Sequence, residues 1–475
     1  MIGIWCALPV LFGPGLCPVK YSMLDLSALP GCFSGEATAV NASGQVVGNW
    51  SGRGFLYANG KVVDLGDLGE PWTYACDLND LGQVVGYSVT PDEVEQAFLY
   101  SNGVMSNLGA AFGEYTSSYA QGVNDSGQVV GVEDYQAFLC ANGAVTMLGS
   151  LGRGDSTAMA VNASGQIVGI VYGGAGSPTH AFLYSNGAMS DLGTLPGFDC
   201  SYAESINSRG QVVGTSQDSS GNLHAFLWSN GVMSDLGMPL GFTWSDALSI
   251  NTAGQVVGCG GPPDSYSRSF FCSGGCMYDL TGLLDASGAG WTIETAACIN
   301  DSGQIAGTAT IDGWDAHAVL LTPDAGVTGS VKLQDFSGDV TQVPVTVQVR
   351  LPGTTDAMQT RTVNLDSSGT FSIPSALTGV FDVSVKASHW LRRTIHGVTF
   401  AGDGYVSGLT FTLVDGDVNG DNTVNLPDLI EIAAAWRSTP GSPNWNPNAD
   451  LNGDGTVDLA DWLIVARNWR ASGDP

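Results

Sequence analysis

Hydrophobic residues along the first two thirds of the chain come in short runs broken by glycine, asparagine and serine. They lack the three-to-four spacing of amphipathic helices and suit short strands. The runs recur. The string N-x-x-G-Q-[VI]-[VA]-G begins at Asn41, Asn79, Asn124, Asn162, Asn207, Asn251 and Asn300. Each copy precedes a strand of the Ala-Phe-Leu-Tyr type. The first six continue through an Asn-Gly turn or its remnant into a strand near Asp-Leu-Gly. Each unit therefore predicts four strands. Asn-x-x-Gly is expected to reverse the chain because both residues tolerate positive φ, and Asn-Gly between apolar runs marks a hairpin. Four-stranded units of about 40–45 residues point to propeller blades.

The seventh unit has its third strand from His317 but no Asp-Leu-Gly strand after it. The missing piece stands at the other end, where Tyr21-Ser-Met-Leu-Asp-Leu-Ser matches the fourth strand of the other units. The expected fold of residues 21–323 is a seven-bladed β-propeller whose ring is closed by its first strand, leaving no open sheet edge. Packing of the repeats as an open array is the alternative.

The third strand begins with His-Ala-Phe at His180 and His224, with His317-Ala-Val in the last unit, and with Gln96 and Gln136 in place of the histidine in units two and three. These units resemble the bacterial extracellular HAF-repeat family. The resemblance implies export and no defined activity. Acids that recur in most of the units are expected to serve the fold, as at Asp80, Asp125 and Asp301 in turns and Asp64, Asp191, Asp235 and Asp279 before Leu-Gly. No catalytic constellation stands out, so a non-catalytic protein is expected, with a glycosidase of a polysaccharide-degrading system as the alternative. Trp72, Tyr74, Tyr115, Tyr119, Trp244, Trp291 and Trp314 lie in or near variable segments. Their rings could stack on sugars or be buried between blades.

A new alternating pattern begins at Gly326, with strands expected at 344–351, 361–364, 369–373, 381–387, 394–400 and 405–413. This suits a small β-sandwich over 326–414. Ser368-Gly-Thr-Phe and Gly379-Val-Phe-Asp-Val-Ser-Val resemble the carboxypeptidase-regulatory-like and Ig-like sandwiches of secreted proteins. The basic cluster Ser388-His-Trp-Leu-Arg-Arg is expected to be an amphipathic strand edge.

Two segments near the C-terminus match at an offset of 33 residues. The first places oxygen donors at Asp417, Asn419, Asp421, Thr423, Asn425 and Asp428. The second places them at Asp450, Asn452, Asp454, Thr456, Asp458 and Asp461. Alternate oxygen-bearing residues along a curled loop suit Ca2+, a hard cation that takes six to eight oxygens, with the threonines contributing backbone carbonyls. A sharp turn at the sixth position is met by Gly455 and by Asn422. Two bound calcium ions are expected, and metal binding should drive folding. A helix follows each loop, with Leu429, Ile432, Ala433 and Trp436 on one expected apolar face and Leu463, Ala466 and Trp469 on the other, Trp462 alongside.

These residues resemble a type I dockerin over 415–475. The resemblance implies a small α-helical module that docks to a cohesin-like partner in a polysaccharide-related system. Its partner-contacting positions fall on Leu426, Pro427, Leu459 and Ala460, which lack the hydroxyl pair of many members.

Composition narrows the rest. A formal net charge of -30 argues against nucleic acid and anionic lipid. The ten cysteines show no zinc spacing and could be disulfides or buried thiols. Residues 1–20 hold an apolar run interrupted by proline and glycine, expected to be an irregular signal segment and not a membrane span. The expectation is an extracellular protein, monomeric outside the docked complex.

Overall fold

The structure is a computed structural model that describes residues 19–30, 32, 34–113, 116–152, 154–174, 177–262, 267–311, 313–400 and 405–475. The expected signal segment lies outside the described residues, apart from its last two. Among the described residues the fold is mainly β, with two α-helices, α1 (Leu426–Ala434) and α2 (Leu459–Arg467), near the C-terminus. The chain divides into two compact units, Lys20–Pro323 and Asp324–Pro475, the second joined by Val19.

Among the described residues the first unit holds seven four-stranded antiparallel sheets. Six are built from consecutive strands. In the fourth, for example, Ser156–Val161, Ile167–Val171, His180–Ser185 and Ala188–Asp191 pair in sequence order. The seventh takes Tyr21–Asp25 from the start of the chain and pairs it with Asp315–Pro323, Tyr21 opposite Pro323. The phenylalanines of the third strands, Phe55, Phe98, Phe138, Phe182, Phe226 and Phe270, are all fully buried. The glycine ending each Gln-Val-Val-Gly string is forced by close approach: a Cβ on Gly86 would lie 1.9 Å from Tyr74 O.

The repeated asparagine acts through its side chain. Asn41 Oδ1 accepts from the backbone N–H groups of Ser43 and Gln45 at 3.1 and 3.0 Å, closing the turn. Its Nδ2 donates to Asn79 O at 3.1 Å. The same bond runs from Asn79 to Asn124, then to Asn162, Asn207, Asn251 and Asn300. Asn300 Nδ2 donates to Asn41 O at 2.8 Å, closing the circuit. This corrects the expected reason for the asparagine. In these turns the glycines take positive φ, as at Gly44 (78°) and Gly303 (75°), and the asparagines do not.

The recurrent histidines and acids also pair within sheets. His180 Nδ1 lies 2.8 Å from Asp191, His224 lies 2.8 Å from Asp235, and His317 lies 2.9 Å from Asp25. Arg53–Asp64 and Arg268–Asp279 fill the same place in two other sheets. The eight described cysteines are free thiols. Trp72 and Trp314 are exposed, Tyr74, Tyr119, Trp244 and Trp291 are half-buried, and Tyr115 lies outside the described residues.

In the second unit, Gly326–Leu333 pairs antiparallel with Thr370–Pro374 and parallel with Tyr405–Leu413. A four-stranded sheet runs Ala357–Asn364, Pro344–Arg350, Gly379–Ala387, Arg393–Phe400. Val345, Val347, Val383 and Val385 point alternately into a core with Phe371, Phe381 and Phe411. The basic cluster is not a strand edge. Residues 388–392 leave the sheet between Gly379–Ala387 and Arg393–Phe400 and pack on the C-terminal loops, burying Trp390 almost completely.

Candidate metal centre

Both helices start at a polar cap. Asn425 and Asp458 occupy the N-cap positions, and their backbone N–H groups donate to Asp428 Oδ2 and Asp461 Oδ2, each at 2.8 Å. These reciprocal caps satisfy amide groups that a helix start leaves unpaired. Nine residues make only about two and a half turns, too few to stand alone in water. Tertiary burial supplies the rest. Ile432 of α1 and Ile464 and Val465 of α2 pack with Val418, Val424, Leu451, Val457 and Leu391.

The expected helix faces need correction. Ala433, Trp436, Trp462, Leu463 and Trp469 are exposed, while Ile464 and Val465 are buried. The core forms between the helices and the loop valines Val424 and Val457; Leu429 and Ile432 of the expected α1 face stay in it, while α2 turns Ile464 and Val465 inward in place of Leu463 and Trp469. Large apolar side chains therefore remain on the surface. Leu426 is 59% exposed, Ile430 58% and Leu459 58%.

The two loops carry the same hydrogen bonds position by position. Asn422 N–H donates to Asp417 Oδ2 at 2.9 Å, and Gly455 N–H donates to Asp450 Oδ2 at 2.9 Å. Asp421 and Asp454 N–H groups donate to Asn419 and Asn452 Oδ1, both at 2.9 Å. Thr423 and Thr456 N–H groups donate to Asp421 and Asp454 Oδ1, again at 2.9 Å. Asn419 and Asn452 N–H groups reach Asp428 and Asp461 Oδ1 at 3.1 and 3.3 Å. Asn422 (φ 69°) and Gly455 (φ 87°) both make the left-handed turn expected at the sixth position.

The loops are also tied across the module. Val424 exchanges backbone bonds with Arg470 and Ala471 after α2, and Val457 does so with Arg437 and Ser438 after α1. This reciprocity relates the halves by an approximate twofold.

Electrostatically the loops are poised for a cation. Burial, and then the charges of Asp417 and Asp421, push the Asp428 carboxyl above its usual range. Burial, and then neighbouring carboxylates, do the same to Asp450 and Asp461. Asp417 Oδ1 is buried and accepts no hydrogen bond. An unsatisfied buried carboxylate oxygen is costly, and a divalent cation would satisfy it. The donor set thus suits calcium. Among the described residues no three His, Cys, Asp or Glu side chains cluster as a ready-made metal site.

The preceding β region reaches into this centre. Lys386 Nζ lies 2.7 Å from Asp417 Oδ2, and His389 Nδ1 lies 2.8 Å from Asp415. Arg392 N–H donates to Asn422 Oδ1 at 2.8 Å, and Asn422 Nδ2 donates to Asp474 O at 2.9 Å. These contacts carry no sequence signal beyond the basic cluster itself.

A second group in the first unit also escaped sequence reasoning. Glu204 and Asp246 stand on the first strands of neighbouring sheets. The Thr215 hydroxyl donates to Asp246 Oδ1. Burial, and then the charge of Asp246, push Glu204 up to about 7. Glu204 has no acid at the corresponding place in the other repeats, which is the signal that could have found it, whereas the place of Asp246 is taken by Glu36 in the first repeat.

Residues 415–468 match the dockerin type I domain family. No curated protein matches the chain. A mutant type II cohesin–X–dockerin complex from Acetivibrio cellulolyticus is similar at 25% identity, over 31% of this chain and 97% of that one, with a TM-score of 0.26. The β-propeller domain of the Trilobed protease from Pyrococcus furiosus is similar at 7% identity, over 64% and 94%, with a TM-score of 0.40. A gluconolactonase from Xanthomonas campestris is similar at 10% identity, over 65% and 95%, with a TM-score of 0.33. The chain therefore carries a C-terminal dockerin type I domain. Among the described residues no helix is long and apolar enough to cross a membrane.

Proposed function

We propose that this chain is an extracellular, calcium-dependent docking protein. Its dockerin, residues 415–475, folds around two calcium ions and pairs with a cohesin-like module. Residues 326–414 form a β-sandwich that braces the dockerin. Residues 21–323 form a closed seven-bladed propeller that presents a binding surface in a polysaccharide-related setting. The observation that carries the docking reading is the matched hydrogen bonding of the two loops, with Asp417 Oδ1 left without a donor. In this reading Asp417, Asn419, Asp421, Asn425 and Asp428 hold one ion through side chains, with the Thr423 carbonyl. Asp450, Asn452, Asp454, Asp458, Asp461 and the Thr456 carbonyl hold the other. The calcium ions neutralise the crowded carboxylates and set both loops.

The apolar side chains left outside on α1 and α2 supply the docking face. Leu426 and Leu459 start the helices, at related positions, and exposed apolar clusters of this kind mark interaction surfaces. Calorimetric titration of EDTA-treated protein with calcium tests the reading. Two sites are expected, and both are lost in the Asp417→Ala, Asp450→Ala double variant. Absence of calcium heat in the unaltered chain sinks it.

One observation favours a second reading, a glycosidase. Glu204 beside Asp246 is a non-repeated carboxylate pair in which one member is held toward the protonated form, as a general acid requires. Release of reducing sugar that disappears in Glu204→Gln would establish it.

A further inference from the structure

Two cavities open beside one another on the first unit. The larger, about 830 Å3, is lined by Tyr119, Tyr135, Tyr172, Asp134 and Asp155, among others. The smaller, about 340 Å3, is lined by Trp72, Tyr74 and Glu36, among others. The larger is of the size that takes small ligands. Tyr87 joins them: its ring stacks on Tyr74 at 5.4 Å and meets Tyr119 edge-on at 5.0 Å. Aromatic surface thus runs unbroken from one cavity to the other across neighbouring sheets.

These rings are not core. Tyr135 is 70% exposed, Trp72 55% and Tyr172 41%. Tyr135 is also held at a conformational cost. It and Asp134 form the two-residue turn between Val129–Glu133 and Gln136–Ala141, with φ of 65° and 41°. The matching turn in the first sheet uses Ser51 and Gly52, with glycine where the backbone demands it. A bulky ring at positive φ is a genuine outlier, and strain of this kind concentrates at functional sites.

The polar groups narrow the ligand. Among the described residues the charged side chains lining either cavity are all acidic. Glu36 accepts from the Tyr74 hydroxyl at 2.6 Å, and Glu95 accepts from the Tyr119 hydroxyl at 2.5 Å. Acids repel uronates, sulfates and phosphates. Flat rings beside hydroxyls and acceptors suit the apolar face and hydroxyl rim of a sugar. We propose that the two cavities form one groove that binds a neutral polysaccharide chain, with sugar faces stacked on Tyr135, Tyr172 and Trp72. The inference rests on the reading of the first unit as a binding surface and assigns that surface its place and ligand class.

Affinity electrophoresis of the full chain tests it, in gels containing mixed-linkage β-glucan, galactomannan or starch, with polygalacturonate and chitosan as anionic and cationic arms. At least one neutral glycan should retard the protein, and polygalacturonate should not. Tyr135→Gly relieves the strained turn, so it should melt no lower than the unaltered protein. Combined with Tyr172→Ala it should weaken retardation at least tenfold. The proposal is overturned if no neutral glycan retards the chain, if retardation is confined to a charged glycan, or if the double variant binds as before. Calcium titration of the same preparations follows the docking reading separately, so either can fail without the other.

Discussion

Lys386 Nζ lies 2.7 Å from Asp417 Oδ2, on a carboxylate that is itself fully buried at the first position of the first of the two matched loops. The lysine belongs to the β sheet, and the aspartate opens the dockerin. A buried carboxylate stripped of its counter-charge is strongly destabilising, so Lys386 supports the metal-free loop. A calcium ion held by Asp417 would take over much of that neutralisation. Lys386→Met is therefore expected to cost about 1.5–3 kcal/mol in the metal-free protein and clearly less in saturating calcium. Thermal melts in EDTA and in calcium should show a larger calcium-induced rise in Tm for the variant. An equal loss in both conditions contradicts the argument.

The closed circuit of asparagines predicts that no single unit is dispensable. Asn124 accepts from the N–H groups of Ser126 and Gln128 and donates to Asn162 O. Asn124→Ala takes the acceptor from two partly buried N–H groups and the donor from a buried carbonyl, and opens the ring at one link. A loss of about 2–3 kcal/mol is expected in urea denaturation. A change below half a kcal/mol, of the order of a surface substitution, would show that the circuit is incidental.

Docking should separate cleanly from metal binding. Leu426 and Leu459 are exposed and donate nothing to the loops, so Leu426→Asp with Leu459→Asp is expected to leave the calcium titration unchanged. Pairing with a cohesin module, followed by native electrophoresis, should weaken at least tenfold because a charge would enter the centre of an apolar contact. Undiminished pairing would move the docking face elsewhere.

The repeats were legible because steric demands impose the same residues each time. Gly86 and its counterparts admit no Cβ, and the third-strand phenylalanines fill equivalent holes, so seven units and the borrowed first strand could be read directly. The left-handed turns at Asn422 and Gly455 were legible because such a turn is a local requirement. The helix faces were not. Over nine residues, periodicity cannot distinguish Leu463 from Ile464, and Val457 outside the helix made the choice. The course of residues 388–392 was not legible because the partners of this segment and of the adjoining Arg393, Asp415, Asp417 and Asp474, are distant in sequence. Glu204 and Asp246 lie in different repeats, so their proximity needed the fold.

That pair makes a prediction with a definite sign. Glu204 has a folded-state pKa of about 7, raised from 4.5 by burial and then by Asp246. Its folded pKa lies above the unfolded one, so the folded state binds the proton more tightly. The stability this contributes is fully present below about pH 4.5 and is lost as pH rises through about 7. Above that, the ionised pair burdens the fold. Glu204→Gln mimics the protonated form and cannot ionise. It should therefore leave stability near that of the unaltered protein at pH 5 and raise it at pH 8, as followed by the urea midpoint of the first unit's transition at each pH. A variant equally shifted at both values would mean that the glutamate acts through packing and not through its charge.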